Sequence, residues 1–447
     1  MNIPGFDHRQ LSLGKILCIV LIVFIGLYFR INAVTNTYVD VPLRADAYDY
    51  YKYAVNLKLN HTYSRSEPYG DDIQPDAIRT PGFPFLLYAF VKWPPDDSVL
   101  FNINIFQALL GVLTIIIAYQ LYSRFLSFWF ASAAALFTAI SPHLISFTTY
   151  CLTETLFTFL VCLIAWLLSL AMDKKNTLLF LLAGGIIAYS ALTRSTMDFF
   201  LVFFICFFIL QPELSKYRKK IIPLFIGFLL VFAPWQVRNH LSLDVIKDDT
   251  LAINFIHHGM YPSFMYENNK ASRGFPYHFD PESEKISSSM QSTLTELYKR
   301  YRADKAVYLK WYLLDKPREF FSWGLINGWR DIFVYPTPRS PYYTKSSFKY
   351  SYTIMWWLHP MLMVFSIISC VLVWLPAVAR QFPESAITTC RLLSVFIIYF
   401  ILLHMVGAPF PRYSVPLRPL NYGMAIFLLA FCTKIFRSYF SRYRAAH

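Results

Sequence analysis

Long apolar runs recur along this chain, and they decide what it can fold into. A helix that crosses a bilayer needs about 20 mostly apolar residues, within a range of about 17–25. Segments 14–33, 103–122, 126–142, 154–172, 177–193, 196–210, 221–237, 353–375, 391–407 and 417–433 reach or approach that length. Inside lipid every backbone polar group must be satisfied within the segment, which favours helices. The reading is an all-α integral membrane protein of about ten transmembrane helices, with interfacial helices in two large loops. Composition agrees, since 56% of the residues are hydrophobic and 15% charged, where soluble domains carry about 25% charge. That balance excludes a disordered chain, a nucleic-acid-binding tail protein and an ordinary soluble enzyme. The first run follows Arg9 and Lys15 and lacks a small-x-small cleavage site, so it reads as a retained signal anchor.

The spans divide the text into 1–35 (tail and first span), 36–101 (first long loop), 102–237 (spans two to seven), 238–352 (second long loop), 353–433 (last three spans) and 434–447 (basic tail). The fifth and sixth spans are short and meet at Arg194. The net charge of +14 orients the bundle. The N-terminal side holds 15 Lys and Arg against four acids, leaving only about +3 of the total for the other side. By the positive-inside rule both termini are cytoplasmic and the long loops lie outside. The tyrosines at 48, 50, 51 and 53 suit a helix lying at the lipid–water interface. Residues 296–314 read as a second interfacial helix, stopped by Pro317, and the Ser-rich 268–292 reads as the most mobile stretch. No internal repeat is visible.

Several ionisable residues fall on the outer side of this topology. They are Asp46 and Asp49 after span one, Arg79 in RTPGFP, Glu154 in TET, Arg194 in LTRS, Arg238 in PWQVRN, and Arg412 followed by Tyr413 in FPRYSVP. Carboxylates serve as general bases, and arginine grips phosphate in a planar fork. Together they suggest a site that activates a nucleophile and holds an anion. Each also has a plainer reading. Asp46 can cap a helix with Asp49 in its first turn, and Glu154 can serve the N-terminus of span four. Arg79 can hold a turn, while Arg194 and Arg238 can snorkel to the interface. The His257-His258 pair reads as an ordinary loop feature, and Asn60-His61-Thr62 is a glycosylation sequon. The seven cysteines form no CxxC pair and no zinc spacing.

The order of these motifs along residues 14–430 resembles the membrane glycosyltransferases of the GT-C superfamily. The likeness is to the bacterial branch related to protein O-mannosyltransferases and the lipid A aminoarabinose transferase. The resemblance implies a polyprenyl-phosphate sugar as donor and a glycan, lipid or protein acceptor, with no nucleic acid involved. It implies that Asp46 is the catalytic base, that Glu154 shapes the site, and that Arg238 lies near the donor phosphate. Asp49, Arg79, Arg194, Arg412 and Tyr413 match in placement as substrate-binding residues. The chain departs from the pattern at Ala45-Asp46-Ala47, where relatives often carry an Asp-Glu pair. It has no DxD motif there, so a divalent metal is not indicated. It also ends about fourteen residues after its last span, which leaves acceptor recognition to the two outer loops. Competing readings are an O-antigen ligase or polymerase using a diphosphate-linked glycan, and a membrane transporter or flippase. The interruption near Arg194 favours transport; the one-sided charges and absent repeat do not.

Overall fold

The computed structural model describes residues 12–245, 248–326, 328 and 330–446. Asp7 and Arg9 of the orientation count lie outside the described residues, as do the side chains of the basic tail from 438 onward. Among the described residues the regular elements are helices, with one isolated antiparallel bridge between Tyr38 and Arg339 joining the two long loops.

The principal helices are α1 (Leu13–Asn36), α2 (Ala45–Leu59), α3 (Gly82–Leu87), α4 (Asp97–Tyr122), α5 (Phe128–Ile140), α6 (Pro142–Ser146) and α7 (Glu154–Lys174). They continue with α8 (Thr177–Thr193), α9 (Phe200–Leu210), α10 (Ile221–Leu243), α11 (Thr250–Gly259), α12 (Met290–Ala303), α13 (Ser346–Leu372), α14 (Glu384–Val406) and α15 (Arg418–Ala446). Seven helical stretches are long and apolar enough to cross a membrane: α1, α4, α7, 214–243, α13, α14 and 411–437. Helix α5 and the helical stretch 142–149 pass the same test only together, bent by 49° as a broken span or a re-entrant loop. The other two apolar runs fold into shorter helices, α8 and α9.

The bend has a physical cause. Pro142 lacks an N–H and cannot continue the α5 ladder, so Ser141 turns to an extended conformation. The carbonyls left open are filled from neighbouring helices. Arg30 of α1, fully buried, donates to Ala139 O at 3.0 Å and Thr138 O at 3.3 Å. Ser351 of α13 donates to Ile140 O at 2.6 Å. A broken span is thereby satisfied without water.

Two sequence expectations are corrected. The tyrosines of α2 do not form a lipid-facing belt. Tyr51 and Tyr53 are fully buried in protein, with Tyr51 Oη donating to Lys92 O at 2.6 Å and the Tyr53 ring stacked 4.3 Å from Tyr63. Their polar tips find acceptors in the folded loop instead of at headgroups. Residues 296–314 are not one helix stopped by Pro317. Asp304 breaks the run and caps a new one by accepting from Val307 N at 3.0 Å. A π-turn over Trp311–Asp315 follows, and helix continues through Lys316–Phe320. Pro317 sits in the first turn of that segment, where its missing N–H matters least.

The helices cross in alternating directions. The start of α2, the start of α7, the end of α8 and the turn between α14 and α15 therefore gather at one end of the bundle.

Candidate active site

At that end six charged side chains form an alternating row: Asp49, Arg79, Asp46, Arg412, Glu154 and Arg194. Arg79 Nη2 lies 3.0 Å from Asp49 Oδ2 and 2.8 Å from Asp46 Oδ1. Arg412 Nη2 lies 2.7 Å from Asp46 Oδ2, and its Nε lies 3.3 Å from Glu154 Oε1. Arg194 Nη1 closes the row at 3.1 Å from Glu154 Oε1. Three carboxylates and three guanidiniums cancel. The row is graded in depth, from the Asp46 side chain at 27% exposure to Glu154 at 0%.

Local sequence explains each placement. Asp46 stands in the first turn of α2, where a carboxylate is favoured by the helix dipole. It is not the N-cap. Arg44 holds that position without a side-chain cap bond, and the Asp46 oxygens go to arginines. Ala45 carries a φ of 45°, a left-handed turn that costs a non-glycine residue about 1–2 kcal/mol and swings α2 toward the row. The glycine of RTPGFP allows close approach. A Cβ on Gly82 would fall 2.5 Å from Thr193 Oγ1, so only glycine lets the turn rest against the end of α8. Tyr189 Oη fixes that contact by donating to Gly82 O at 2.8 Å. Glu154 opens α7, and Arg194 follows α8 directly. Tyr413 lies beneath two of the arginines, its ring 4.9 Å from Arg194 Cζ and 5.6 Å from Arg412 Cζ.

Arg238 does not join the row. From α10 it donates to Asp76 O at 2.9 Å and Tyr63 O at 3.1 Å, with its guanidinium 4.9 Å from the Trp235 ring. It reaches the row indirectly, through Tyr63, whose hydroxyl donates to Arg79 O at 3.0 Å, and through Asp76 and Tyr53, whose hydroxyl accepts from Arg79 N at 3.4 Å. Two tyrosines near the row were not among the expected site residues. Tyr50 lies under Arg79 at 5.5 Å. Tyr335 Oη donates to Arg44 O at 3.1 Å, two residues before Asp46.

The electrostatics of Asp46 follow from these contacts. Burial pushes its carboxyl upward, but the charges and hydrogen bonds of Arg412 and Arg79 outweigh burial and hold it well below the usual carboxylate range. The sign matters for stability. A depressed folded value means the pairing contributes fully above the ordinary aspartate range and is lost only as pH falls through the lower folded value. Arg79→Ala should move the Asp46 titration upward, toward the ordinary range. Carbon-detected NMR of aspartate-labelled protein checks this; an unmoved titration would show that Arg79 does not govern the carboxylate.

Among the described residues no group of three or more His, Cys, Asp or Glu gathers as a metal would require. His257 and His258 diverge, His257 Nε2 pairing with Tyr261 Oη at 3.0 Å and His258 stacking on Tyr277 at 3.9 Å. The sequon asparagine Asn60 has its amide engaged, donating to Asn56 Oδ1 at 2.9 Å and Pro68 O at 3.0 Å. All seven cysteines are free thiols.

Residues 78–237, which carry Arg79, Glu154 and Arg194, match the family model of dolichyl-phosphate-mannose-protein mannosyltransferase. The fold matches the archaeal oligosaccharyltransferase AglB from Archaeoglobus fulgidus in complex with an inhibitory peptide and a dolichol-phosphate. The TM-score is 0.52 at 13% identity, covering 97% of this chain and 52% of that one. The apo form of the Archaeoglobus fulgidus oligosaccharyltransferase gives 0.52 at 14% identity, covering 99% and 52%. The likeness is therefore to a family model over part of the chain and to the oligosaccharyltransferase fold over nearly all of it. The chain spans about half the length of the solved structures it matches. A looser likeness, TM-score 0.41 at 13% identity over 94% of this chain and 77% of the other, is to ArnT from Cupriavidus metallidurans bound to undecaprenyl phosphate. No curated protein sequence matches.

Proposed function

We propose that this protein is a GT-C membrane glycosyltransferase that moves a sugar from a polyprenyl-phosphate donor to an acceptor hydroxyl on the outer face of the membrane. One observation carries the proposal: Asp46 is shared between Arg79 and Arg412, so a candidate base stands beside two groups that grip phosphate. The dolichol-phosphate seen with AglB supports a lipid-phosphate donor.

The chemistry is a single displacement. Asp46 accepts the proton of the acceptor hydroxyl as that oxygen bonds the anomeric carbon. The bond from that carbon to the phosphate oxygen breaks, and polyprenyl phosphate leaves from the opposite face with the electron pair. The configuration inverts. Phosphate is a stable leaving anion, so no general acid is required, and arginines stabilise its growing charge. The row also addresses how so acidic a carboxylate acts as a base. A donor phosphate competes with Asp46 for Arg412 and Arg79, and each guanidinium drawn to the phosphate restores basicity to Asp46. Glu154 holds Arg412 and Arg194 from below and acts through them.

Arg238 fits two roles, gripping the donor or strapping the first long loop. We expect Arg238→Ala to raise the donor KM by about tenfold, the scale of one charge-assisted hydrogen bond. An unchanged donor KM with a lowered melting temperature assigns it to the strap.

The bent α5–α6 span is a feature shared with transporters. Purified protein in detergent, given polyprenyl-phosphate sugar and envelope acceptors, separates the two readings. Sugar transfer without compartments supports the enzyme; no transfer with any envelope acceptor would favour transport. Comparison of envelope glycans from a deletion strain by mass spectrometry would identify the sugar and the acceptor.

A further inference from the structure

The second long loop carries a run of rings, Phe275, Tyr277, His278 and Phe279, interrupted only by Pro276. His258 of α11 covers one face of Tyr277, ring centroids 3.9 Å apart and planes within 9°. His278 packs at 4.5 Å and Phe275 stands edge-on at 6.1 Å. Phe275 and His278 remain exposed. His258 immediately precedes Gly259, where α11 meets the backbone at the end of α14, five residues before Arg412, so the ring cluster lies on the side of the charged row.

The cluster is built into the site rather than draped over it. A Cβ on Gly259 would fall 2.5 Å from the Gly407 backbone, so α11 is seated directly on the end of α14. Trp311 Nε1 donates to Gly259 O at 2.9 Å, and Phe264 stacks on Phe410 at 4.7 Å, two residues before Arg412. From the other side Tyr261 Oη joins His257 to Asp280 at 3.0 and 2.8 Å, and Arg300 of α12 pairs with Asp280 at 2.7 Å. The loop therefore holds its rings against the 407–410 segment that leads into Arg412.

We propose that this aromatic shelf binds a sugar ring of the acceptor, so that the acceptor is a glycan. The inference rests on the proposed function, because it takes Asp46 as the group that receives the acceptor proton. Residues 275–279 contain no carboxylate, lysine or arginine, so the shelf itself offers rings and not fixed charges. A pyranose suits the chemistry. Its C–H faces carry partial positive charge and stack on the negative face of an aromatic ring, while its rim hydroxyls meet the Tyr277 and His278 polar atoms.

The test is saturation-transfer NMR and titration of the full-length protein in detergent, with envelope-derived oligosaccharides as one probe set and Ser/Thr peptides as the other. Oligosaccharide protons should receive saturation, and Tyr277→Leu should weaken that binding about tenfold while Tyr277→Phe, which keeps the ring, leaves it within about twofold. Equal binding by the Phe and Leu variants, loss in both at an unchanged melting temperature, or binding of peptides alone would overturn the shelf. If the oligosaccharide binds through Tyr277 but no sugar is transferred, the shelf stands and the proposed reaction fails.

Discussion

Asp46→Asn should reduce sugar transfer by about 10²–10⁴-fold, the usual worth of a positioned general base. Asparagine keeps the shape of the side chain and loses both the charge and the basic lone pair. Asp49 and Glu154 still face Arg79 and Arg412, so the row keeps partners for both guanidiniums. The loss of stability should be small, about 1–3 kcal/mol for the charge-assisted hydrogen bonds given up, and discounted because the side chain is 27% exposed. The protein should still insert and fold. Turnover and melting temperature measured together decide the matter. A folded variant turning over within a factor of about three of wild type removes Asp46 from the base role, since general-base help is worth far more.

Glu154→Gln should be the more damaging change for the fold. Glu154 is fully buried and is the carboxylate shared by Arg194 and Arg412 at the deep end of the row. Without it, Arg194 faces a dry interior with no acid, and breaking a buried pair by removing one partner costs about 3–5 kcal/mol. Removing both charges should restore much of the loss, because apolar side chains of similar volume replace buried ion pairs with little penalty. Glu154→Leu combined with Arg194→Leu should therefore melt higher than Glu154→Leu alone. Thermal unfolding in detergent checks the order. A single variant that melts like wild type would mean the pair contributes nothing to the fold.

How much of this was legible in the text depends on which force set each feature. Lipid leaves no freedom to an unsatisfied backbone, so the apolar runs announced their helices directly. The charged row was legible in part, because Asp46, Arg79, Glu154, Arg194 and Arg412 each stand beside a helix end or a Pro-Gly turn that fixes where the chain reverses. Arg238 stands at a similar helix end, yet it turns to the carbonyls of Asp76 and Tyr63. A lone arginine does not reveal whether its acceptor is a ligand or a folded loop. The tyrosines of α2 misled for a related reason. Amphipathic rings suit a headgroup belt and a polar-lined protein interior equally, and the acceptor Lys92 O lies 41 residues away. Pro142 was read only as the end of the run 126–142, and nothing in the sequence pairs it with Arg30, which fills the opened carbonyls from 108 to 109 residues away. Tyr277 was the hardest to foresee, since only the clamp between α11 and the Gly407 backbone brings its loop toward the row.

The central claim is a base-assisted displacement of polyprenyl phosphate at Asp46. Its most direct test follows one turnover with purified wild-type and Asp46→Asn protein, reading the released lipid by mass spectrometry and the anomeric configuration of the product by NMR. The account predicts one polyprenyl monophosphate released for each sugar transferred, inverted configuration in the product, and neither signal above background with Asp46→Asn. Retained configuration, or release of polyprenyl diphosphate, would contradict it.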